Sequence, residues 1–507
     1  MKAIGNVSSD LKAKEDKKSI TRGAALNFLG YLIKLGHPIL LAICTRLYDA
    51  NHWGIFVTIQ AALMIMTRLC LMGFDRGLLW WISRQDLEKE RTGIRPVLWL
   101  VGMSSCGAVL VITTMIAPAV GNQEGYAGME DSIRIMALGI IPLALMEILS
   151  HSTMGKQRME VNIVVKETLV PLSLVGFAVL YFVFGFRETG LAVAFLSSNL
   201  IGFAASIFGF RVLFKKSSWP SNESPWPNKE LVRYSLPFGG SEIANTFLQR
   251  MDTLFLSVFA TPEIVGIYGV VTMFGNAIRS IRRSFDPIIT SVISRIGSSP
   301  DTIASRKRIA SSFSYAWFLV TATQLPIFAF LICFAKMLLA FYGPGFAQGA
   351  DTVLILCGFW AFNGAGSLAG NVLSGLGRSD LGLLNVLSTI ASQMVFLVIF
   401  VSPIGLNMGM EGAAISAGLG YTLQNLLQHV QMKKITGMWN YTSQVLPAIF
   451  AGIAGFVVLV GVFFTLQSLD SFTARVVSFL AFSLVYGGSL VIFWHTEARC
   501  RLGGGLS

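Results

Sequence analysis

Charge is scarce in this sequence: Asp, Glu, Lys and Arg together make up 13% of 507 residues, against roughly 25% in a typical soluble domain. That shortage excludes a water-facing surface over most of the chain. Cysteine and histidine are also few, at six and five. There is no CxxC spacing to suggest a thiol redox pair or a cysteine zinc site. Cys44, Cys70, Cys106, Cys333 and Cys357 lie inside apolar runs and read as small apolar side chains. The histidines are scattered without an HExxH pattern, and there is no Walker A sequence for ATP. Neither a metal nor a cofactor is expected.

What the chain has instead is apolar length. Hydrophobic residues are 53% of the total, the mean hydropathy is +0.64, and runs of about 20 apolar residues, enough to cross a hydrocarbon layer of roughly 30 Å, recur from end to end. About fourteen transmembrane helices are expected, near 20–45, 52–74, 95–118, 131–153, 163–184, 190–213, 230–259, 264–293, 308–335, 348–374, 381–401, 410–432, 444–466 and 473–495. The first run is too long for a signal-peptide core and should stay as a span.

The net charge of +12 sits in short loops rather than in one stripe, so topology explains it and nucleic acid is not expected as a partner. With the basic N-terminal tail in the cytoplasm, the inside loops carry Arg76, Arg84, Lys89, Arg91, Lys156, Arg158, Lys166, Lys215, Lys216, Arg306, Lys307, Lys433 and Lys434 among others. The outside loops are marked by Glu124, Glu130, Asp131, Glu263 and Glu411. This is the positive-inside bias, and it predicts that both termini are cytoplasmic. The polar, proline-rich stretch from Trp219 to Pro227 reads as a cytoplasmic linker between halves.

The halves repeat. Gly54-Ile55-Phe56, read as the turn after the first span, matches Gly266-Ile267-Tyr268 at an offset of 212. Arg68 stands seven residues before Asp75, and Arg279 stands seven before Asp286, an offset of 211. Gly155-Lys-Gln-Arg158 matches Gly375-Leu-Gly-Arg378 at 220, and Gly190 matches Gly412 at 222. Four matches in order imply two lobes of six helices each, which keep the same orientation because six is even. The expected organisation is a basic tail over 1–19, an N-lobe over 20–213, a linker over 214–229, a C-lobe over 230–432, two further helices over 433–495 and a cytoplasmic tail over 496–507.

Arg22-Gly23, Asn27, Gly54-Ile55-Phe56, Gly73-Phe74 and the Gly-x-x-Arg ends at Gly155 and Gly375 together resemble the polysaccharide-transporter (Wzx-like) flippases. These belong to the multidrug/oligosaccharidyl-lipid/polysaccharide exporter superfamily. The resemblance covers essentially the whole chain. It implies an all-α membrane protein, with two pseudo-symmetric bundles around a central cavity that opens to each side in turn. It also implies a flippase of the bacterial inner membrane that carries polyprenyl-diphosphate-linked oligosaccharide for O-antigen, capsule or exopolysaccharide. Such a protein would work alongside a polysaccharide polymerase and chain-length proteins.

Charges inside spans mark where such a function would sit, because each costs roughly 2.5–3.5 kcal/mol on insertion scales unless it meets water or a partner. Lys34 and His37 share a face of the first span. Arg68 lies in the second, and Arg279, Arg282 and Arg283 share a face of the eighth. A cavity lined by these cations suits an anion, and the diphosphate is the anion the resemblance implies. The competing reading is that the arginines snorkel to the membrane surface and only anchor their helices.

Glu147, Glu242, Asp252 and Asp286 are candidates for charge pairing or for coupling to an H+ or Na+ gradient or the membrane potential. His37 and His151 read as hydrogen-bonded interior residues rather than switches. A membrane enzyme of polysaccharide assembly would need acid and base groups in a sizeable outside loop, and none is present. A multidrug antiporter of the same superfamily is the closer rival, separated by the sign of the cavity charge.

Overall fold

The computed structural model describes residues 37–503 except 39, 85–90, 92, 122–128, 157, 216–223, 225, 284, 298–301, 379, 438–445 and 467–470. Among the described residues all regular structure is helical. In chain order the helices are α1 (Leu40–Leu71), α2 (Phe74–Ile82), α3 (Ile94–Gly121), α4 (Met129–Gly155), α5 (Glu160–Val183), α6 (Gly190–Leu213) and α7 (Lys229–Phe259). There follow α8 (Pro262–Arg283), α9 (Asp286–Gly297), α10 (Thr302–Ala340), α11 (Phe346–Gly375), α12 (Asp380–Phe400), α13 (Gly409–Thr436), α14 (Leu446–Thr465) and α15 (Ser471–Gly503).

Eleven of these helices contain a stretch long and apolar enough to cross a membrane. The helices α7 and α13 have the length, 31 and 28 residues, but carry more polar side chains. The first expected span lies mostly outside the described residues. Where the other expected spans are described, most boundaries fall within a few residues of those read from hydropathy.

Two expectations need correction. Gly54-Ile55-Phe56 is not a turn but lies within α1. The corner is five residues earlier, at Asp49, whose φ of 61° is left-handed. Its Oδ1 accepts the His52 N–H at 3.0 Å, as the first residue before a new helical segment does. Gly54 and Gly266 matter for closeness instead: a Cβ on Gly54 would lie 1.7 Å from the Pro262 carbonyl oxygen, and one on Gly266 would lie 2.1 Å from that of Ala50. The second correction concerns the single span expected over 264–293, which breaks after Arg283 and resumes as α9 at Asp286.

The described residues fall into two compact units, the first ending at Ser257 but also taking Thr261–Gly266, the second holding Val258–Ala260 and Ile267 onward. Each builds the same internal arrangement. In the first, α1 stops at Leu71, Gly73 turns the chain with φ 79°, and α2 begins with Phe74-Asp75. In the second, α8 stops at Arg283 and α9 begins at Asp286. Each short helix then packs on the end of a long one. A Cβ on Gly155 would lie 2.9 Å from the Ile82 Cβ, and one on Gly375 would lie 3.0 Å from the Ile293 Cβ.

The offset that relates Arg68 to Arg279 also relates Ile82 to Ile293. The cores agree with it: Leu78, Ile82, Ile148 and Leu149 are buried together in the first unit, and Ile289, Ile293, Leu368 and Ala369 in the second.

Lipid as solvent explains the exposed apolar surface. The apolar window of α4 is 67% buried, whereas those of α5 and α15 are 22% and 17% buried. The poorly buried helices carry bulky apolar side chains that suit acyl chains. In α4 burial extends beyond the apolar side chains to Ser150, His151, Ser152 and Thr153, and two of the hydroxyls donate back into their own helix, Ser152 to Ile148 O at 2.8 Å and Thr153 to Ser150 O at 2.7 Å. Polar side chains thus face protein and leave lipid to the apolar ones.

Candidate functional site: two charge clusters

The first cluster forms where α1, α2, α4 and α5 meet. Asp75 begins α2, where the exposed N–H groups at the helix start favour an anion, and its Oδ2 takes Nη1 of Arg68 at 2.9 Å. Asp75 is 1% exposed and Arg68 26%. One turn before the end of α4, His151 lies between two carboxylates, its Nδ1 3.4 Å from Glu147 Oε2 and its Nε2 4.0 Å from Asp75 Oδ2. The same Nδ1 donates to the Glu147 carbonyl at 2.9 Å. Glu147 is held by Lys166 Nζ at 2.8 Å. Glu242, on α7, lies within electrostatic reach of Arg68. Among the described residues two cations therefore face at least two carboxylates, with no excess positive charge.

Lys166 was expected among the cytoplasmic loop residues, and the structure places it inside α5. The reason is local. Residues Ile163–Leu169 form a π-helical stretch, which widens the helix by one residue and turns the lysine toward Glu147. Pro171 follows two residues later and has no N–H to offer the carbonyl of Glu167, four residues back. His37 brings a ring nitrogen to that carbonyl, its Nε2 lying 2.8 Å from Glu167 O. His37 thus satisfies a backbone group. Lys34 lies outside the described residues. Asp252 is buried and accepts the N–H of Thr253 at 2.8 Å.

The second cluster occupies the equivalent place in the second unit and differs in charge. Arg279, the counterpart of Arg68, does not pair with Asp286. Its guanidinium instead lies 4.2 Å from the Trp360 ring centre and 4.8 Å from that of Tyr421, and Nη2 donates to the Tyr421 hydroxyl at 3.3 Å. Asp286 takes Arg282 Nη1 at 3.0 Å and Asn371 Nδ2 at 2.6 Å. Arg283 has no ion-pair partner among the described residues, and it lies within electrostatic reach of Arg279, Arg282 and Asp286. Among the described residues three guanidiniums face one carboxylate, an excess of two positive charges.

The repeat explains the contrast residue by residue. Arg282 and Arg283 stand where the first unit has Leu71 and Met72. By the offset of 220, Asn371 stands where the first unit has His151, and each contacts the aspartate of its own unit. Ser367 replaces Glu147. Relative to the first cluster, the second has two added arginines and no counterpart of Lys166 or Glu147, which accounts for the excess of two positive charges.

Beside the second cluster, α11 breaks at Ser367. Gly366 and Gly370 face α13, where added Cβ atoms would meet Asn425 Nδ2 at 3.6 Å and Gln428 Nε2 at 3.0 Å. That is close helix packing, and no strand precedes it to form a nucleotide loop. Among the described residues no group of three His, Cys, Asp or Glu side chains is placed to hold a metal.

A family model described as "Polysaccharide biosynthesis protein" matches residues 20–293, just over half of the chain. The protein belongs to that family. A search of curated protein sequences found no match.

The fold of this polysaccharide biosynthesis family member is similar to three solved transporters. One is the lipid II flippase MurJ in an inward closed conformation, with a TM-score of 0.75, 11% identity, and coverage of 94% of this chain and 100% of that one. Another is an inward-facing multidrug resistance MATE family transporter of the MOP superfamily, with a TM-score of 0.62, 14% identity, and 82% and 99% coverage. The third is a MOP superfamily transporter from Pyrococcus furiosus, described by the reverse polarity of its binding pocket, at 0.54, 16%, 84% and 97%. At these identities the likeness establishes the fold. The protein is a multi-pass membrane protein with a flippase and transporter fold.

Proposed function

We propose that this protein flips a polyprenyl-diphosphate-linked oligosaccharide across the bacterial inner membrane, and that Arg279, Arg282 and Arg283 receive the diphosphate. The observation that carries this reading is the excess of two positive charges in the second cluster, set against compensated charge at the equivalent place in the first. Guanidinium is planar and donates in a fork that matches phosphate oxygens two at a time. Stacking on Trp360 and bonding to Tyr421 hold Arg279 without neutralising it.

Family membership supports a polysaccharide precursor as cargo, and the charge supports its diphosphate as the handle. On this reading Arg68 is a structural partner of Asp75. The cluster of Asp75, His151, Glu147 and Lys166 is the place where a driving proton would act. A cationic drug would meet like charge at the second cluster, which weighs against the antiporter alternative.

The test is binding. Native mass spectrometry of the purified protein with undecaprenyl diphosphate should show a lipid adduct that falls about tenfold or more in the Arg279→Gln/Arg283→Gln variant, since charge-assisted bonds contribute ~1.5–3 kcal/mol each. Equal retention of undecaprenyl diphosphate and of a neutral polyprenol by the wild type would overturn the assignment.

A further inference from the structure

A further cavity in the first unit is lined on α4 by Leu145 and Leu149, which alternate along that helix with Glu147 and His151 of the first cluster. The cavity, of about 620 Å³, opens between α3, α4 and α6, within the range of about 300–1,000 Å³ usual for small-ligand pockets. Its walls are apolar, with Trp99 64% exposed and Met103 65% exposed beside Phe203. Among the described residues the charged ones that line it are Arg91, Arg95 and Arg211.

The fold gathers these three at one end. Arg91 and Arg95 flank the start of α3, and Arg211 lies in the last turn of α6. Arg91 is anchored by donating Nη2 to the Phe214 carbonyl. Arg95 and Arg211 are exposed and have no acidic partner among the described residues. A smaller cavity in the second unit, of about 260 Å³, differs in carrying Asp351 beside Lys336 and Arg475, so the unmixed positive charge belongs to the first.

An apolar groove open to the bilayer would take acyl chains of any lipid. Three guanidiniums at its interfacial end select among headgroups, and basic pockets between membrane helices suit anionic ones. The ammonium of phosphatidylethanolamine would be repelled there. The geometry points to a structural binding site for one anionic glycerophospholipid, its phosphate on Arg91, Arg95 and Arg211 and its chains along Trp99, Met103 and Phe203. This site is separate from the proposed cargo site, and it would fix the first unit to the leaflet at that depth.

Gly102 supplies a test that leaves helix packing intact. It lines the cavity, and a Cβ built there meets nothing within 4 Å, so Gly102→Leu projects into the groove. Delipidated full-length protein would be titrated with phosphatidylglycerol or phosphatidylethanolamine and read by native mass spectrometry. Wild type should retain one phosphatidylglycerol in preference to phosphatidylethanolamine. In Arg95→Gln/Arg211→Gln that preference should drop about tenfold, and Gly102→Leu should lose the tightly held lipid altogether. Equal retention of both lipids by wild type, or a phosphatidylglycerol preference intact in both variants, would overturn the site. Tighter retention of undecaprenyl phosphate than of phosphatidylglycerol would overturn it too, by making the groove a carrier-lipid site.

Discussion

The Arg68–Asp75 pair allows a prediction that depends on which partner is removed. At 2.9 Å with Asp75 1% exposed, the aspartate has no route to water, whereas Arg68 at 26% exposed does. Arg68→Gln leaves a buried carboxylate without its cation, a loss of roughly 3–5 kcal/mol for breaking a buried pair. Asp75→Asn leaves a cation that can turn toward water, or toward Glu147 and Glu242 within its electrostatic reach, and should cost only about 1–3 kcal/mol.

The double variant removes both charges and should be more stable than Arg68→Gln alone. The assay is a double-mutant cycle of unfolding midpoints in detergent, with tryptophan fluorescence as the readout. Two results would refute the reasoning: single effects that add to within about 0.5 kcal/mol, or Asp75→Asn as damaging as Arg68→Gln. Either would mean that Asp75 is not held in place by this arginine.

Other predictions follow from the same packing and charge. Gly54→Ala and Gly266→Ala should each lower the yield of folded protein sharply, because their Cβ atoms would overlap carbonyl oxygens at 1.7 and 2.1 Å, while Gly102→Ala, in open space, should be neutral or slightly stabilising; size-exclusion profiles of detergent extracts would compare them. Glu147→Gln should destabilise the first unit by roughly 3 kcal/mol through the stranded Lys166, and Glu147→Gln/Lys166→Met should recover most of that loss in the same unfolding assay. Trp360 is buried, so Trp360→Phe, which keeps most of the packing but offers a weaker ring face, should weaken diphosphate-lipid binding by a few-fold, whereas Trp360→Ala should also lower the unfolding temperature; an unchanged affinity in Trp360→Phe would show that the stacking does not orient Arg279.

Much of this architecture was legible in the sequence because lipid enforces simple rules. Apolar length sets the spans, and the repeat offsets placed Arg68 with Arg279 and Gly155 with Gly375, which the structure seats in equivalent positions. Extending the 211 offset by a few residues would also have set Arg282 and Arg283 against Leu71 and Met72, and so exposed the charge asymmetry between the units.

Other features were hidden by backbone detail. The π-helical stretch over Ile163–Leu169 re-aims Lys166, and the partner of His37 is the Glu167 carbonyl, more than a hundred residues away. Gly54 is the more conspicuous turn signal in the sequence, but the corner lies at Asp49 and the lack of a side chain at Gly54 serves close packing. Arg279 could not have been told from Arg68 by its surroundings, because Trp360 and Tyr421 come from α11 and α13 and only folding brings them to it.

The most direct test of the central claim is flipping of a defined polyprenyl-diphosphate oligosaccharide in proteoliposomes. It would compare wild type with Arg279→Gln/Arg283→Gln and with the charge-neutral pair Arg68→Gln/Asp75→Asn at equal reconstituted amounts. The account predicts transport by wild type, near-complete loss when the second-unit arginines are removed, and substantial transport by the neutral first-unit pair. Full transport without Arg279 and Arg283, or loss confined to the first-unit pair, would contradict it.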